Sequence, residues 1–383
     1  MRLDAFTERV MRKNKDNKSK LPLTISAQYG LVDQITFFNK VIASTDMSNY
    51  YLLKKGEFAY NKSYSSDYPW GAIKRLDNYE QGALSSLYIC FTPQDNVESD
   101  FILQYFESPK WHKGVSEIAV EGARNHGLLN VSVQDFFHTY HYVPKDKKEQ
   151  IKIAKLLMLL DERIATQNKI IDKLQSLIKG LNDTLYAQHG DEVMTSFAEL
   201  GTSYSGLSGK SAQDFGSGKP FITYLNVYSN NVINENEFQY VAIKDGEKQN
   251  IVEYGDVLFT LSSETPNEVG IGSVFLGKEK VYLNSFCFGI HITNKEVAFP
   301  PFLSYYVSST AFRKFIYPFA QGSTRFNLCK AVFEKASIKL PTLENQKRIY
   351  SILSHIDNKI ETERQMLELY NSQKQYLLRQ MFI

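Results

Sequence analysis

The stretch "GLSGKS", Gly206 to Ser211, carries the glycine, lysine and hydroxyl that close a phosphate-binding loop. Such a loop needs a further glycine upstream so that the backbone can turn around the phosphates, and Tyr204 stands there instead. The preceding "AELGTSYS" also lacks the apolar strand that would deliver the loop, so a flexible Gly/Ser turn is expected. Lys210 and Lys219 remain placed to touch phosphates. His138 and His141 have a metal-ligand spacing, but in "FFHTYHYVP" they alternate with aromatics. That pattern reads as a strand with two like-facing or partly exposed histidines. Cys90, Cys287 and Cys329 are widely spaced and odd in number, which points to buried free thiols rather than disulfides or a thiolate metal site. Nucleophile elbows, paired phosphodiesterase-like carboxylates and glycine-rich cofactor fingerprints are missing. The chain reads as a binder, without catalytic residue, cofactor or metal.

Something larger must position any binding residues. The 383 residues are 43% hydrophobic and 13% aromatic, ample for two or three packed domains. The first residues have no apolar signal core, and no window approaches the roughly 18 apolar residues that a membrane span needs. A cytoplasmic protein without membrane contact is expected. A net charge of +2 gives no long-range pull on a polyanion, so any basic surface is local. Candidates are Arg12 to Lys20 and the surroundings of Lys110, Lys113, Arg313 and Lys314.

The chain repeats itself. "LKKGEFAYNKS" (Leu53 to Ser63) lies over "VEYGDVLFTLS" (Val252 to Ser262), and at the same spacing of 199 Gly71 meets Gly270, Leu84 meets Leu283 and Ser86 meets Ser285. Further on, "EGARNHGLL" corresponds to "QGSTRFNL", each with an arginine (Arg124, Arg325) shortly after a glycine. A period of this length is a duplicated domain, not a solenoid module.

"EQIKIAKLLMLLDERI" (from Glu149) and "NQKRIYSILSHIDNKI" (from Asn345) follow Pro144 and Pro341 and share one pattern. Steps of four and three place Ile153, Leu157, Leu160, Ile164, Ile171 and Leu174 on one seam, and Ile349, Leu353, Ile356, Ile360 and Leu367 on the other. These are heptad seams, each roughly 50 Å long, interrupted at the same step by Gln167 and Glu363. Mutual pairing of two long helices is expected. Between them, "LSSLYICFT" and "VYLNSFCFGIHIT" read as strands, while "DFILQYFESPKWHKGV" and "PFLSYYVSSTAFRKFIY" read as helices. The expected class is α+β: two mixed domains in tandem, residues 1–143 and 191–340, each followed by a long helix, 144–190 and 341–383.

With helices reading "P…EQ.KIA..L..LD..I", and with "LTISAQYGLV", "YYLLKKGEFAYNKSYS", "GKPFITYLNV" and "QGSTRFNL" besides, the chain resembles over essentially its whole length the specificity (S) subunits of type I restriction-modification systems. The resemblance implies two target recognition domains, each reading one half of a bipartite double-stranded DNA sequence. It further implies helical spacers that pack as an antiparallel coiled coil and dock methyltransferase (M) subunits, two in number, with a translocating restriction (R) subunit joining that complex. Tyr350, Ser354 and Lys374 depart from the first copy of the helix.

Antiparallel pairing would relate the halves by an approximate two-fold axis, matching the local dyad of duplex DNA, with half-sites about 34 Å apart. Base readout requires paired donors and acceptors in polar loops. The expected DNA-binding residues are Lys62, Ser63, Tyr64, Arg124, Asn125 and His126 in the first domain, and Lys210, Lys219, Tyr224, Asn226, Ser262, Ser263, Thr324 and Arg325 in the second. The rival readings are a coiled-coil interaction scaffold without nucleic acid and an NTPase built on the Gly206 loop.

Overall fold

The computed structural model describes residues 1–119, 127–189 and 192–382. Two compact units divide the chain: Met1–Asn168 with Gln365–Ile383, and Lys169–Arg364.

In the first unit, in chain order, the elements are β1 (Thr7–Arg9), β2 (Pro22–Ser26), β3 (Gly30–Asp33), α1 (Gln34–Phe38), β4 (Tyr51–Lys54), β5 (Phe58–Asn61), β6 (Ala72–Arg75), β7 (Gln81–Leu84), β8 (Ile89–Pro93), α2 (Ser99–Glu107), α3 (His112–Ile118), α4 (Val133–His138) and the start of α5 (Lys147–His189). One antiparallel sheet has the order β1-β8-β5-β6, and a second has the order β3-β2-β7-β4 with β2 and β7 parallel. Phe58 and Phe91 stack at 5.4 Å inside a core that also takes in Phe101, Tyr105, Trp111 and Phe136.

The second unit contains the rest of α5, then β9 (Val193–Thr195), α6 (Phe197–Leu200), β10 (Gly201–Ser205), β11 (Phe215–Ile222), α7 (Tyr224–Ser229), β12 (Gln239–Val241), β13 (Val257–Thr260), β14 (Ser262–Ser263), β15 (Gly272–Val274), β16 (Tyr282–Leu283), β17 (Cys287–Ile292), α8 (Pro300–Tyr306), α9 (Thr310–Ile316), β18 (Ala320–Gln321), β19 (Phe326–Leu328), α10 (Lys330–Lys335), β20 (Ile338–Leu340) and the start of α11 (Leu343–Gln380), whose remainder from Gln365 belongs to the first unit. Its sheets repeat those of the first unit: β10-β17-β13-β15 all antiparallel, and β12-β11-β16 with β11 and β16 parallel. Even register is kept. Phe58 faces Phe91 in one unit and Val257 faces Ile290 in the other, 199 residues on in both strands. The matched glycines have a conformational reason, because Gly56 (φ +86°) and Gly255 (φ +94°) both turn in the left-handed region that side chains avoid.

Both long helices form, and within each unit they run antiparallel. In the first, Ile153, Ala154 and Leu157 share a buried cluster with Leu378 and Phe382, while Asp161 pairs with Lys374 and Arg163 lies over the Tyr370 ring. In the second, the end of α5 meets the start of α11 through His189 and Asn345, and Ile178, Leu181 and Leu185 pack on the cluster of Ile349 and Leu353. The seam residues also serve the globular parts. Ile153, Leu157, Ile349 and Leu353 enter the globular cores, Ile171 and Ile360 are buried, and Leu160, Ile164, Leu174, Ile356 and Leu367 are half-buried.

Two glutamines explain the repeated "EQ" and "NQ". Gln150 Nε2 donates to the Pro144 carbonyl and its Oε1 accepts from Glu98 N; Gln346 Nε2 donates to the Pro341 and Val297 carbonyls and its Oε1 accepts from Phe299 N. Both are buried, so each clamps the first turn of a long helix to the entry of α2 or α8. Leaving such a group unpaired costs roughly 1–3 kcal/mol.

Three local readings need correction. "FFHTYHYVP" is not a strand: Ser132 caps α4 by accepting from Asp135 N, and the helix ends at His138. The long helix expected from Asp100 breaks at Ser108–Pro109, and the one expected from Pro301 breaks at Ser309, which caps α9 by accepting from Phe312 N. No helix among the described residues is long and apolar enough to cross a membrane.

Candidate nucleic-acid interface

Each unit pairs the polar segment that follows its β5 or β13 strand with a later segment at the same register, Ser63 opposite Leu128 and Ser262 opposite Asn327. In the first, the chain leaving β5 carries Lys62, Ser63 and Tyr64. Leu129 N donates to Lys62 O at 2.9 Å, Tyr64 N donates to Gly127 O at 3.0 Å, and Ser63 bridges Leu128. Ser63 and Tyr64 are exposed, and Lys62 Nζ reaches the Val131 carbonyl at 3.4 Å. Arg124, Asn125 and His126 lie outside the described residues, immediately before Gly127.

In the second unit the chain leaving β13 forms β14, which pairs with β19: Ser262 opposite Asn327 and Ser263 opposite Phe326. Thr324 and Arg325 are exposed in the turn between β18 and β19. Gly322 (φ +142°) makes that turn possible, because a Cβ there would lie 2.1 Å from the Arg325 carbonyl oxygen. The fold thus gathers Tyr224, Ser262, Ser263, Thr324 and Arg325, since Tyr224 OH donates to the Ser262 carbonyl at 2.8 Å and feels the Arg325 charge. Burial pushes the Tyr224 phenol up, keeping it a neutral donor.

Besides Lys62 and Tyr224, four of the expected site residues are taken up inside the fold. Asn226 is fully buried, with Nδ2 donating to Asn234 O and Oδ1 accepting from Asn234 N. Ser262 and Ser263 are buried too, and Ser263 Oγ donates to Glu268. Lys210 Nζ donates to the Ala242 carbonyl and to Glu247, both at 2.6 Å, with its side chain only 6% exposed. That ammonium holds the Glu247 carboxyl down at about 2. The Gly206 loop is therefore pinned rather than flexible: Leu207 N donates to Leu283 O, and a Cβ on Gly206 would collide with Asn284 O. Lys219 differs, standing exposed on β11 beside a bulge.

Sequence reasoning missed Glu268. Its carboxylate accepts from Tyr228 OH at 2.8 Å, Thr265 Oγ1 at 2.8 Å and Ser263 Oγ at 3.2 Å, and those donors, Tyr228 first, hold it below the usual carboxylate range. It braces α7 against the strand that carries Ser262. Nothing in "SSETPNE" separates this glutamate from Glu264, which is exposed.

The histidines do not converge. His141 is buried between Tyr105 OH (3.1 Å from Nδ1) and Thr139 Oγ1 (2.7 Å from Nε2), whereas His138 is largely exposed near Asp4. Among the described residues no cluster of three metal-ligating side chains occurs. Cys90 and Cys287 are buried and Cys329 is half-buried, all as free thiols.

Comparison with known proteins follows this geometry. Residues 205–369 match the type I restriction modification DNA specificity domain. Over 140 residues, 37% of the chain, the sequence is 27% identical to the type I restriction enzyme MjaVIII specificity subunit of Methanocaldococcus jannaschii, and the match spans about a third (31%) of that relative. Three solved structures share the fold at 15% identity. One comes from work on complex assembly and conformational transition of the type I R-M system (TM-score 0.59, 99% of this chain and 95% of that one). Another is the type I restriction-modification S subunit from M. genitalium (0.52, 100% and 95%). The third is the HsdS subunit from Thermoanaerobacter tengcongensis (0.50, 99% and 94%). In sequence over its second half and in fold over its length, the chain is similar to the specificity subunits of type I restriction-modification systems.

Proposed function

We propose that this chain is the DNA sequence-specificity subunit of a type I restriction-modification complex in the cytoplasm, and that it carries out no chemistry itself. Each globular domain, residues 1–143 and 191–340, reads one half of an asymmetric bipartite duplex target. The helices at 144–190 and 341–383 relate the domains by an approximate dyad, set the unread gap and dock two methyltransferase subunits, through which restriction subunits join.

The observation that carries this reading is the pair of polar segments at equivalent positions of a duplicated fold, Ser63 opposite Leu128 and Ser262 opposite Asn327, with different residues around them. Equivalent register presents similar geometry to DNA, and unequal side chains ask for unequal half-sites. Direct contacts are assigned to Lys62, Ser63, Tyr64, Arg124, Asn125 and His126 in one domain, and to Lys219, Thr324 and Arg325 in the other. Tyr224, Asn226, Ser262, Ser263 and Lys210 support those contacts from within. For the methyltransferase the helices offer exposed Ile151, Leu156, Leu159 and Leu177 on α5 and Leu369 and Tyr376 on α11, apolar groups that water disfavours. Beside Ile151 and Leu159 lies a concavity of 490 Å³ that Glu98, Lys155 and Glu162 rim with charge.

The test maps methylated adenines in a host that expresses the chain with its methyltransferase partner, and measures retardation of the mapped duplex by the complex. Two short sequences with a fixed gap, lost when the chain is deleted, are the expected result. Equal retardation of unrelated duplexes would leave the helices as an interaction scaffold only.

A further inference from the structure

The first unit carries an apolar projection that its core does not use. Tyr29 is 68% exposed, Phe37 and Phe38 are each 44% exposed and Val41 is 71% exposed, all on the turn after β2, on α1 or just beyond it. The projection is ordered by its own contacts. Asp33 accepts from Ile35 N at 3.0 Å and from Thr36 Oγ1 at 2.6 Å to start α1, and Asn39 in the left-handed region (φ 50°) ends it. The rings meet edge to face, Tyr29 with Phe37 at 6.3 Å and Phe37 with Phe38 at 5.0 Å. Rings held this way lose little freedom on insertion into a partner.

The neighbouring charge identifies the partner. Lys15, Lys18 and Lys20 are exposed on a run that Asn17 ties to the segment following α1, through Asp46 Oδ1 at 3.2 Å and Met47 N at 2.8 Å; Lys40 is exposed just past the Asn39 cap of α1. Lys20 also lines a concavity together with Ile35 and Val41, which sets an ammonium beside the apolar projection. Apolar rings flanked by ammonium groups suit stacked bases flanked by phosphates better than an apolar protein groove.

We propose that Phe37 and Phe38 form a wedge that enters the base stack of the half-site read by the first unit, unstacking one step and bending the duplex while the lysines hold the adjoining phosphates. The inference rests on the DNA-specificity reading above. It also makes the two half-sites unequal in kind. In the second unit the chain that follows β12, the counterpart of β3, forms no helix and carries no aromatic residue from Ala242 to Glu253. Distortion is then confined to one half-site, where flexible pyrimidine–purine steps are favoured without being contacted.

The experiment uses the full chain with its methyltransferase partner and the duplex defined by methylation mapping, with 2-aminopurine replacing one adenine at a time and dyes at the ends for energy transfer. The wild-type complex should brighten 2-aminopurine several-fold at one step of one half-site and shorten the end-to-end distance. The double variant Phe37→Ala, Phe38→Ala should abolish both signals and weaken target binding about 10- to 100-fold, with Phe37→Leu intermediate, while assembly with the methyltransferase is unchanged. A double variant that keeps the fluorescence, the bend and the affinity would overturn the wedge and leave the specificity reading intact. Loss of assembly instead would make the projection a protein-docking surface and overturn it equally. A wild-type complex with no sequence preference would sink the underlying reading itself.

Discussion

Lys374 Nζ lies 2.5 Å from Asp161 Oδ1, joining the last turns of α11 to α5, while Asp161 Oδ2 accepts from Gln104 Nε2 of α2 at 2.9 Å. The lysine that interrupts the apolar seam is thus given a partner by the opposite helix. The pair is partly exposed, at 18% and 38%, so its worth is near that of surface ion pairs. Replacing Lys374 by Met should cost under about 1 kcal/mol. Asp161→Ala also orphans a buried amide and should cost about 1–3 kcal/mol. Denaturant midpoints of the two variants and their double mutant decide this; a larger loss for Lys374→Met would contradict it.

Gln150→Ala and Gln346→Ala should each destabilise by roughly 1–3 kcal/mol, because buried donors and acceptors are left without partners. The loss should be local. Hydrogen exchange should quicken first at Glu98 in the one variant and at Phe299 in the other, whereas a uniform acceleration would deny them a clamping role.

Acid should loosen the first unit through His141. Burial lowers this imidazole from 6.5 to about 3, with a further push from the N-terminal ammonium nearby. Thr139 Oγ1 donates to Phe136 O, so Nε2 of the neutral ring donates to Thr139 and Nδ1 accepts from Tyr105 OH. The unfolded chain takes up the proton at pH 6.5 and the folded one only near 3, so stability is full above 6.5 and falls as pH drops through that window. The slope is at most about 1.4 kcal/mol per pH unit. Melting curves from pH 7.5 to 4.5 should show this decline, and His141→Gln should flatten it; an unchanged slope in the variant would assign the decline elsewhere.

Arg325 and Lys210 should separate cleanly. Arg325→Ala, at an exposed turn, should weaken binding to the cognate duplex by about 1–3 kcal/mol and relax discrimination at one position, with the melting temperature nearly unchanged. Lys210→Ala should instead lower stability, because Glu247 and the Ala242 carbonyl lose their donor, and should leave the sequence preference in place. The reverse pattern would place the recognition surface on the Gly206 loop.

The contrast between Arg325 and Lys210 shows what a single sequence discloses. Repetition was legible because register, positive-φ glycines and strand order are copied at constant spacing, as Phe58–Phe91 and Val257–Ile290 show. Long helices were legible from heptad steps, although Ile153, Leu157, Ile349 and Leu353 also enter the globular cores. Polar residues were the hard part. Asn226, Ser262 and Ser263 look like base readers in the sequence, and only the fold reveals Asn234 and Glu268 as their partners. Short helices misled for a related reason, since Ser108, Ser132 and Ser309 act as caps, where serine otherwise passes for a strand or loop residue.

The most direct test of the central claim inserts one heptad into each long helix, preserving the apolar seam, and maps the methylated sites again. Seven residues add about 10 Å of helix, equivalent to about three base pairs. Both half-sites should persist unchanged with a different gap between them. Methylation at the original spacing, or altered half-sites, would contradict a subunit whose helices measure the distance between two reading domains.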